Sequence, residues 1–139
     1  MNTTRIALAT LGGFVAYFAV GGLTFTFLPS LRNEFMKYPA VYRSQEGIKS
    51  TMPFGMAAML IAILALAVLY AMAYRGGPGL VEGARFGVLI GIFALGAFVV
   101  HNYVNLNIGL KLTLQQAVAY FLEWVITGLV IGLIYRPAK

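Results

Sequence analysis

Residues 114–135 read LQQAVAYFLEWVITGLVIGLIY. A single acidic side chain, Glu123, interrupts an otherwise uncharged run of 22 residues. About 20 helical residues cross the ~30 Å hydrocarbon core of a bilayer. A barrel strand needs only about 9–11 residues and alternates in polarity, which this run does not. Backbone amides in lipid must bond within their own segment, so the run is a helix.

Three more runs follow the same pattern, at about 6–28, 52–74 and 84–104. The whole chain of 139 residues is 60% hydrophobic and 10% charged, against about 25% charged in an ordinary soluble domain. The expected fold is all-α: one polytopic transmembrane domain over 1–139, built as a four-helix bundle. Ile6–Leu28 is too long for a usual signal h-region and lacks a clear small-residue cleavage site, so a retained first helix is expected. With no cysteine in the sequence, disulfides, thiol catalysis and thiolate metal sites are excluded.

A net charge of +6 would suit nucleic acid. The basic residues, however, cluster near helix ends and in loops, where they meet lipid headgroups. The expected partners are therefore membrane lipids and not nucleic acid. Flanking charge is balanced between the two sides. Arg5, Arg75, Arg85, Arg136 and Lys139 fall on the side of the termini, and Arg32, Lys37, Arg43, Lys49 and Lys111 on the other. Four of the second group share one loop and can rest on headgroups, which tips the expected orientation toward cytoplasmic termini, while the 5-to-5 tie also permits a chain that inserts both ways.

That loop, 30–51, places Leu31, Phe35, Tyr38 and Tyr42 at spacings of 4, 3 and 4. This is an amphipathic segment for the membrane interface, broken at Pro39; it serves as a headgroup anchor or as a lid over a cavity. Ser50 or Thr51 is expected to cap the second helix, with Pro53 in its first turn. Ala58, Ala62 and Ala65 form a small-residue track there. The link RGGPG, 75–79, predicts a tight turn between antiparallel neighbours.

The third run carries Gly83, Gly87 and Gly91, a doubled G-x-x-x-G spanning about 80° at 100° per residue. Such a stripe suits close helix contact. Continued with α-helical spacing it reaches His101 and Asn105. In the fourth run Gly128 and Gly132 form another G-x-x-x-G. Gln116, Tyr120, Glu123 and Thr127 share a separate stripe, so this helix is expected to pack on two sides.

Glu123 lies near the bilayer midplane, where a charge costs from ~3 to more than 10 kcal/mol. Such an acid is neutral unless it is paired or wetted. Antiparallel third and fourth helices would set His101 level with Gln116 and about 9 Å above Glu123, at ~1.5 Å per residue. Asn105, His101, Gln116, Tyr120, Glu123 and Thr127 then form a candidate ligand or proton track, closed by Tyr17 from the first helix. Glu123 would switch charge, Tyr120, Thr127 and Tyr17 would orient the ligand, and His101, Asn105 and Gln116 would form the entry.

One histidine without cysteine or aspartate is a poor metal set. No cofactor motif, nucleophile elbow, H-E-x-x-H or phosphate loop is present. Catalytic residues, metal and cofactors are thus not expected. The expected function is binding or translocation of protons or of a small amphipathic or cationic ligand. The alternative is a noncatalytic subunit or assembly factor that docks through Gly and Ala faces. A homo-oligomer or membership of a membrane complex is expected, because the fourth helix has two interaction faces and 139 residues enclose little alone.

The segments GGLTFTFLPSLRNEF, EGARFGVLIG and LKLTLQQAVAYFLEWVITGLVIG give a layout that resembles small bacterial four-helix membrane-protein families described as domains of unknown function. The resemblance implies the fold and a bacterial inner-membrane location. Those proteins often carry an acid early in the fourth apolar run; here Gln115 and Gln116 stand at that point and the acid lies deeper, as Glu123.

Overall fold

The computed structural model describes residues 1–136; Lys139, assigned above to the side of the termini, lies outside the described residues. The chain is an integral membrane protein, a bundle of four long apolar helices, with a fifth short one. The spans are α1 (Thr3–Phe27), α3 (Gln45–Ala73), α4 (Gly79–Asn105) and α5 (Leu110–Ile134). The short helix is α2 (Pro29–Phe35). No strand occurs among the described residues.

Local chemistry explains the boundaries. Asn2 caps α1 by accepting the Arg5 amide at 2.9 Å. Pro29 opens α2 at a position where a missing amide hydrogen costs nothing, and α2 stops before Pro39, as the proline predicts. Gly76, with φ of 87°, reverses the chain after α3 in the left-handed region that glycine enters without a Cβ clash.

Two boundaries differ from expectation. The cap of α3 is Ser44, whose hydroxyl accepts the Gly47 amide at 3.2 Å, not Ser50 or Thr51. Those two hydroxyls instead donate to the Gly47 carbonyl, each at 2.9 Å. Pro53 is consequently inside the helix and not in its first turn. Polar Gln45, Glu46, Lys49 and Ser50 hide this extension from a hydropathy reading. A helix of 29 residues reaches about 44 Å at 1.5 Å per residue, so its first turns stand beyond the ~30 Å core. Similarly, α4 begins at Gly79, before the expected 84.

The helices pack in the lateral order α3, α1, α5, α4. The turn 75–78 thus joins helices that diverge. They meet near it through Tyr70 and Phe86, whose ring centroids are 5.3 Å apart. Backbone approach dictates this order. On α4, Gly79, Gly83 and Gly87 lie against Gly128 and Gly132 of α5, so the glycine face of α4 meets the glycines of α5 and not, as the expected track requires, its polar stripe. A methyl group built on Gly83 would sit 2.7 Å from the Gly128 carbonyl oxygen. On the other flank, Gly13 of α1 admits Ile63 of α3 and Ile131 of α5, each 3.1 Å from where its Cβ would be.

Ala58, Ala62 and Ala65 are exposed. The buried face of α3 is Ile63, Ala67, Tyr70 and Ala71. These pack with Ile6, Ala9, Ile131 and Tyr135 into a core at the end holding both termini. A second core, Leu31, Ile108, Leu112 and Ala119, lies at the opposite end beneath Phe35, Tyr38, Val41 and Tyr42.

Candidate functional site

The site lies between these cores, where α5 faces α1 on the side away from its glycines. Gln116, Glu123 and Thr127 recur at spacings of 7 and 4 and are buried, Glu123 at 7% exposure. The glycine stripe of α5 engages α4, so its polar stripe turns toward α1 and α2. This is the two-sided packing that the two separate stripes predict.

Gly21 on α1 makes room for the acid: a methyl group there would lie 3.1 Å from Glu123 Oε1. The Tyr17 hydroxyl is a polar neighbour of the same carboxyl, and the Tyr17 ring leans on Trp124 with centroids 4.9 Å apart. Among the described residues no basic side chain forms an ion pair with Glu123. One turn along, Thr127 Oγ1 is buried without a hydrogen-bond partner.

A cavity of about 30 Å³ joins Glu123 to Tyr120, Gln116 and Thr24. That volume holds a water molecule, which needs roughly 10–15 Å³ of such space and two to four polar partners. Phe25 and Phe35, with centroids 5.4 Å apart, form the wall between this space and a larger cleft of about 920 Å³, lined by α1, the 32–44 segment and the start of α3.

The segment after α1 covers the outer end of the site. Gln116 Nε2 donates to the Tyr42 hydroxyl at 3.2 Å, and the Gly109 amide donates to the Tyr38 hydroxyl at 2.9 Å. Glu34 Oε1 accepts from Lys37 Nζ at 2.6 Å and Lys111 Nζ at 2.8 Å. The hydrogen bonds from Lys111, then from Lys37, hold the Glu34 carboxyl below its ordinary value of 4.5. In return, Glu34 raises the Lys37 ammonium. The amphipathic segment therefore turns its apolar and tyrosine face onto α5 as a lid, with Glu34 as its fastening.

Of the residues read from the sequence, Gln116, Tyr120, Glu123, Thr127 and Tyr17 come together here. His101 and Asn105 do not: both are exposed. Asn105 Nδ2 bonds the His101 carbonyl of its own helix at 2.9 Å. Their placement on the glycine face is corrected by a π-helical segment, Leu95–Val100, within α4. The buried positions run Gly79, Gly83, Gly87, Gly91, Ala94 and then Val99. The last step is five residues, where regular α-helix would step to Phe98. Beyond Val99 the helix leaves the bundle, and no residue of His101–Asn105 is buried. The entry expected at His101 and Asn105 is occupied instead by Tyr42 and Tyr38.

Sequence reasoning missed Gly21, Thr24, Glu34 and the inward role of the two tyrosines. The four-residue spacing of Tyr38 and Tyr42 gave the only signal, and it fits a lipid-facing or a protein-facing stripe equally. Among the described residues no group of three or more His, Cys, Asp or Glu side chains is arranged to hold a metal ion. No protein-family model, curated protein or solved structure matches the chain.

Proposed function

We propose that the protein binds or translocates protons, alone or with a small ligand, through the polar track centred on Glu123. The observation that carries this reading is the buried, ion-pair-free carboxyl opening onto a water-sized cavity lined by Gln116, Tyr120 and Thr24. An ionisable group at such depth is expensive, and in membrane proteins it commonly marks an ion or proton path. Protons enter from the lid end, past Tyr42 and Gln116, and Glu123 alternates between its neutral and charged forms. Tyr17 and Thr127 orient whatever occupies the position beside it. The cavity volume, about 30 Å³, favours water and protons over a bulky cationic guest.

The proposed setting is a bacterial inner membrane with both termini cytoplasmic. A second reading has its own support. Ala58, Ala62 and Ala65 are exposed on one side of α3, and small residues of this kind suit close packing by another membrane helix. On that reading the chain is a homo-oligomer or a subunit of a larger membrane complex.

The deciding experiment reconstitutes the full chain in liposomes carrying an internal pH dye and imposes a proton gradient. Wild-type protein is expected to pass protons and Glu123→Gln to lose that flux while keeping its fold by circular dichroism. Equal flux in the two proteins, or none in wild type, removes Glu123 from the proposed role. Recovery of a stable larger complex from native membranes in mild detergent would favour the second reading.

A further inference from the structure

The large cleft differs in chemistry from the Glu123 cavity. It opens between α1, the lid segment and the start of α3, with a volume of about 920 Å³, within the ~300–1,000 Å³ typical of pockets for small organic ligands. Its deep wall is apolar: Phe18 and Phe25 of α1 and Met52 of α3. Phe18 and Phe25 are about 10 Å apart along α1 at ~1.5 Å per residue, so the wall descends from the interface well into the acyl region. The wall is uncrowded at Gly22, where a methyl group would meet nothing within 4 Å.

Its outer rim is cationic. Arg32, Arg43 and Lys49 line it, one each from α2, the following loop and the second turn of α3. Among the described residues no acidic side chain lines the cleft. Glu34, the acid nearest in sequence to Arg32, is bonded to Lys37 and Lys111. Glu46, on the first turn of α3, is outside the lining. Among the described residues, none of the three rim cations has an ion-pair partner.

We propose that this cleft is a binding site for an acidic glycerophospholipid. The phosphodiester sits among Arg32, Arg43 and Lys49, and one acyl chain lies down the wall from Phe25 to Phe18 over Gly22. Charge complementarity selects the headgroup: guanidinium groups bind phosphate oxygens through paired N–H donors. The polarity gradient, cations at the surface and apolar wall below, matches a lipid standing in its own leaflet. A zwitterionic lipid brings a compensating ammonium into the rim and gains less. The bound lipid would press on the Phe25–Phe35 wall and so stiffen the lid. The site stands independently of the role given to Glu123, because the two cavities are separate.

The test uses the full chain in detergent, titrated with phosphatidylglycerol or phosphatidylcholine of matched acyl chains and read by native mass spectrometry. One basic residue near a membrane surface strengthens anionic lipid binding about fivefold. Wild type is therefore expected to retain phosphatidylglycerol with a preference on the order of 100-fold. Each of Arg32→Gln, Arg43→Gln and Lys49→Gln should lower that preference about fivefold, whereas Arg85→Gln at the opposite end should not. Gly22→Phe fills the wall without touching charge and is expected to remove the bound lipid. Equal retention of the two lipids overturns the proposal. Undiminished preference in Gly22→Phe also overturns it, because the lipid would then rest on surface charge alone. Displacement of the lipid by inorganic phosphate at equal concentration would likewise overturn it, reassigning the rim to a free anion.

Discussion

A single methyl group at Gly87 should loosen the bundle, while one at Gly22 should not. At Gly87 the added carbon would lie 2.7 Å from the Val125 carbonyl oxygen and 2.9 Å from both the Trp124 carbonyl oxygen and Val125 Cα. These are backbone atoms of α5 and cannot swing aside. Carbon contacts settle near 3.5–4.0 Å, so α4 and α5 must separate by roughly 0.5–1 Å. A gap of that size forfeits a quarter to a half of each dispersion contact along the stripe, and overpacking of this kind costs about 1–3 kcal/mol. Alanine returns about 0.5–1 kcal/mol of helix propensity. The net expectation is a loss of about 1–2 kcal/mol for Gly87→Ala. For Gly22→Ala, where nothing lies within 4 Å, it is a gain of at most about 1 kcal/mol. Unfolding both variants and wild type in one detergent, by heat or by rising dodecyl sulfate fraction, measures the difference. Gly128→Ala, whose methyl group meets the Gly87 backbone, should add less on top of Gly87→Ala than it costs alone, since the first change has already opened the gap. Equal stability of Gly87→Ala and Gly22→Ala would refute the claim that backbone contact sets the α4–α5 distance.

The lid should loosen in acid. The Glu34 carboxyl is held below its ordinary value of 4.5 by Lys111 and Lys37, so its contribution is complete above that value and lost as pH falls through the lower folded one; hydrogen exchange at 30–38, corrected for intrinsic rate, should rise in that range for wild type, and a Glu34→Gln chain following the same pH curve would dismiss the ion pairs as its cause. The π-helical segment should absorb a deletion. Removing Gly96, which is exposed and uncrowded, brings Val99 within four residues of Ala94 and keeps it on the buried face, whereas removing Ile90 rotates the rest of α4 by about 100°; thermal unfolding should find the first chain near wild type and the second strongly destabilised, and equal damage would discard the register argument.

Which features the sequence disclosed follows from how each one is encoded. The four spans are written in composition, because lipid leaves the backbone no alternative to helices. Close helix contact at Gly83 and Gly87, and at Gly128 and Gly132, is also legible, since they repeat at four residues and only small residues permit such approach; that the two stripes meet each other is not, because the period alone allows the α4 glycines to face the polar stripe of α5 equally. Helix order is not legible, because a short turn at 75–78 is compatible with splayed helices as well as packed ones. The π-helical segment is hidden for a related reason: Phe98 and Val99 are both apolar, so hydropathy reads either as the next buried position. That one-residue ambiguity carried His101 onto the wrong face. The lid was half legible. Its period of 4, 3 and 4 announced an apolar stripe, yet lipid and protein present the same solvent to such a stripe. What distinguishes them is polar pairing: Tyr42 to Gln116, Tyr38 to Gly109 and Glu34 to Lys111, each between residues more than 70 positions apart. In a membrane protein, then, hydropathy locates the helices, while the few polar side chains decide which faces meet. Glu123 is the deepest of these. The elements around it, Gly21 on α1 and Gln116 on α5 beneath Tyr42, follow the demand that a buried polar group finds either a partner or a water.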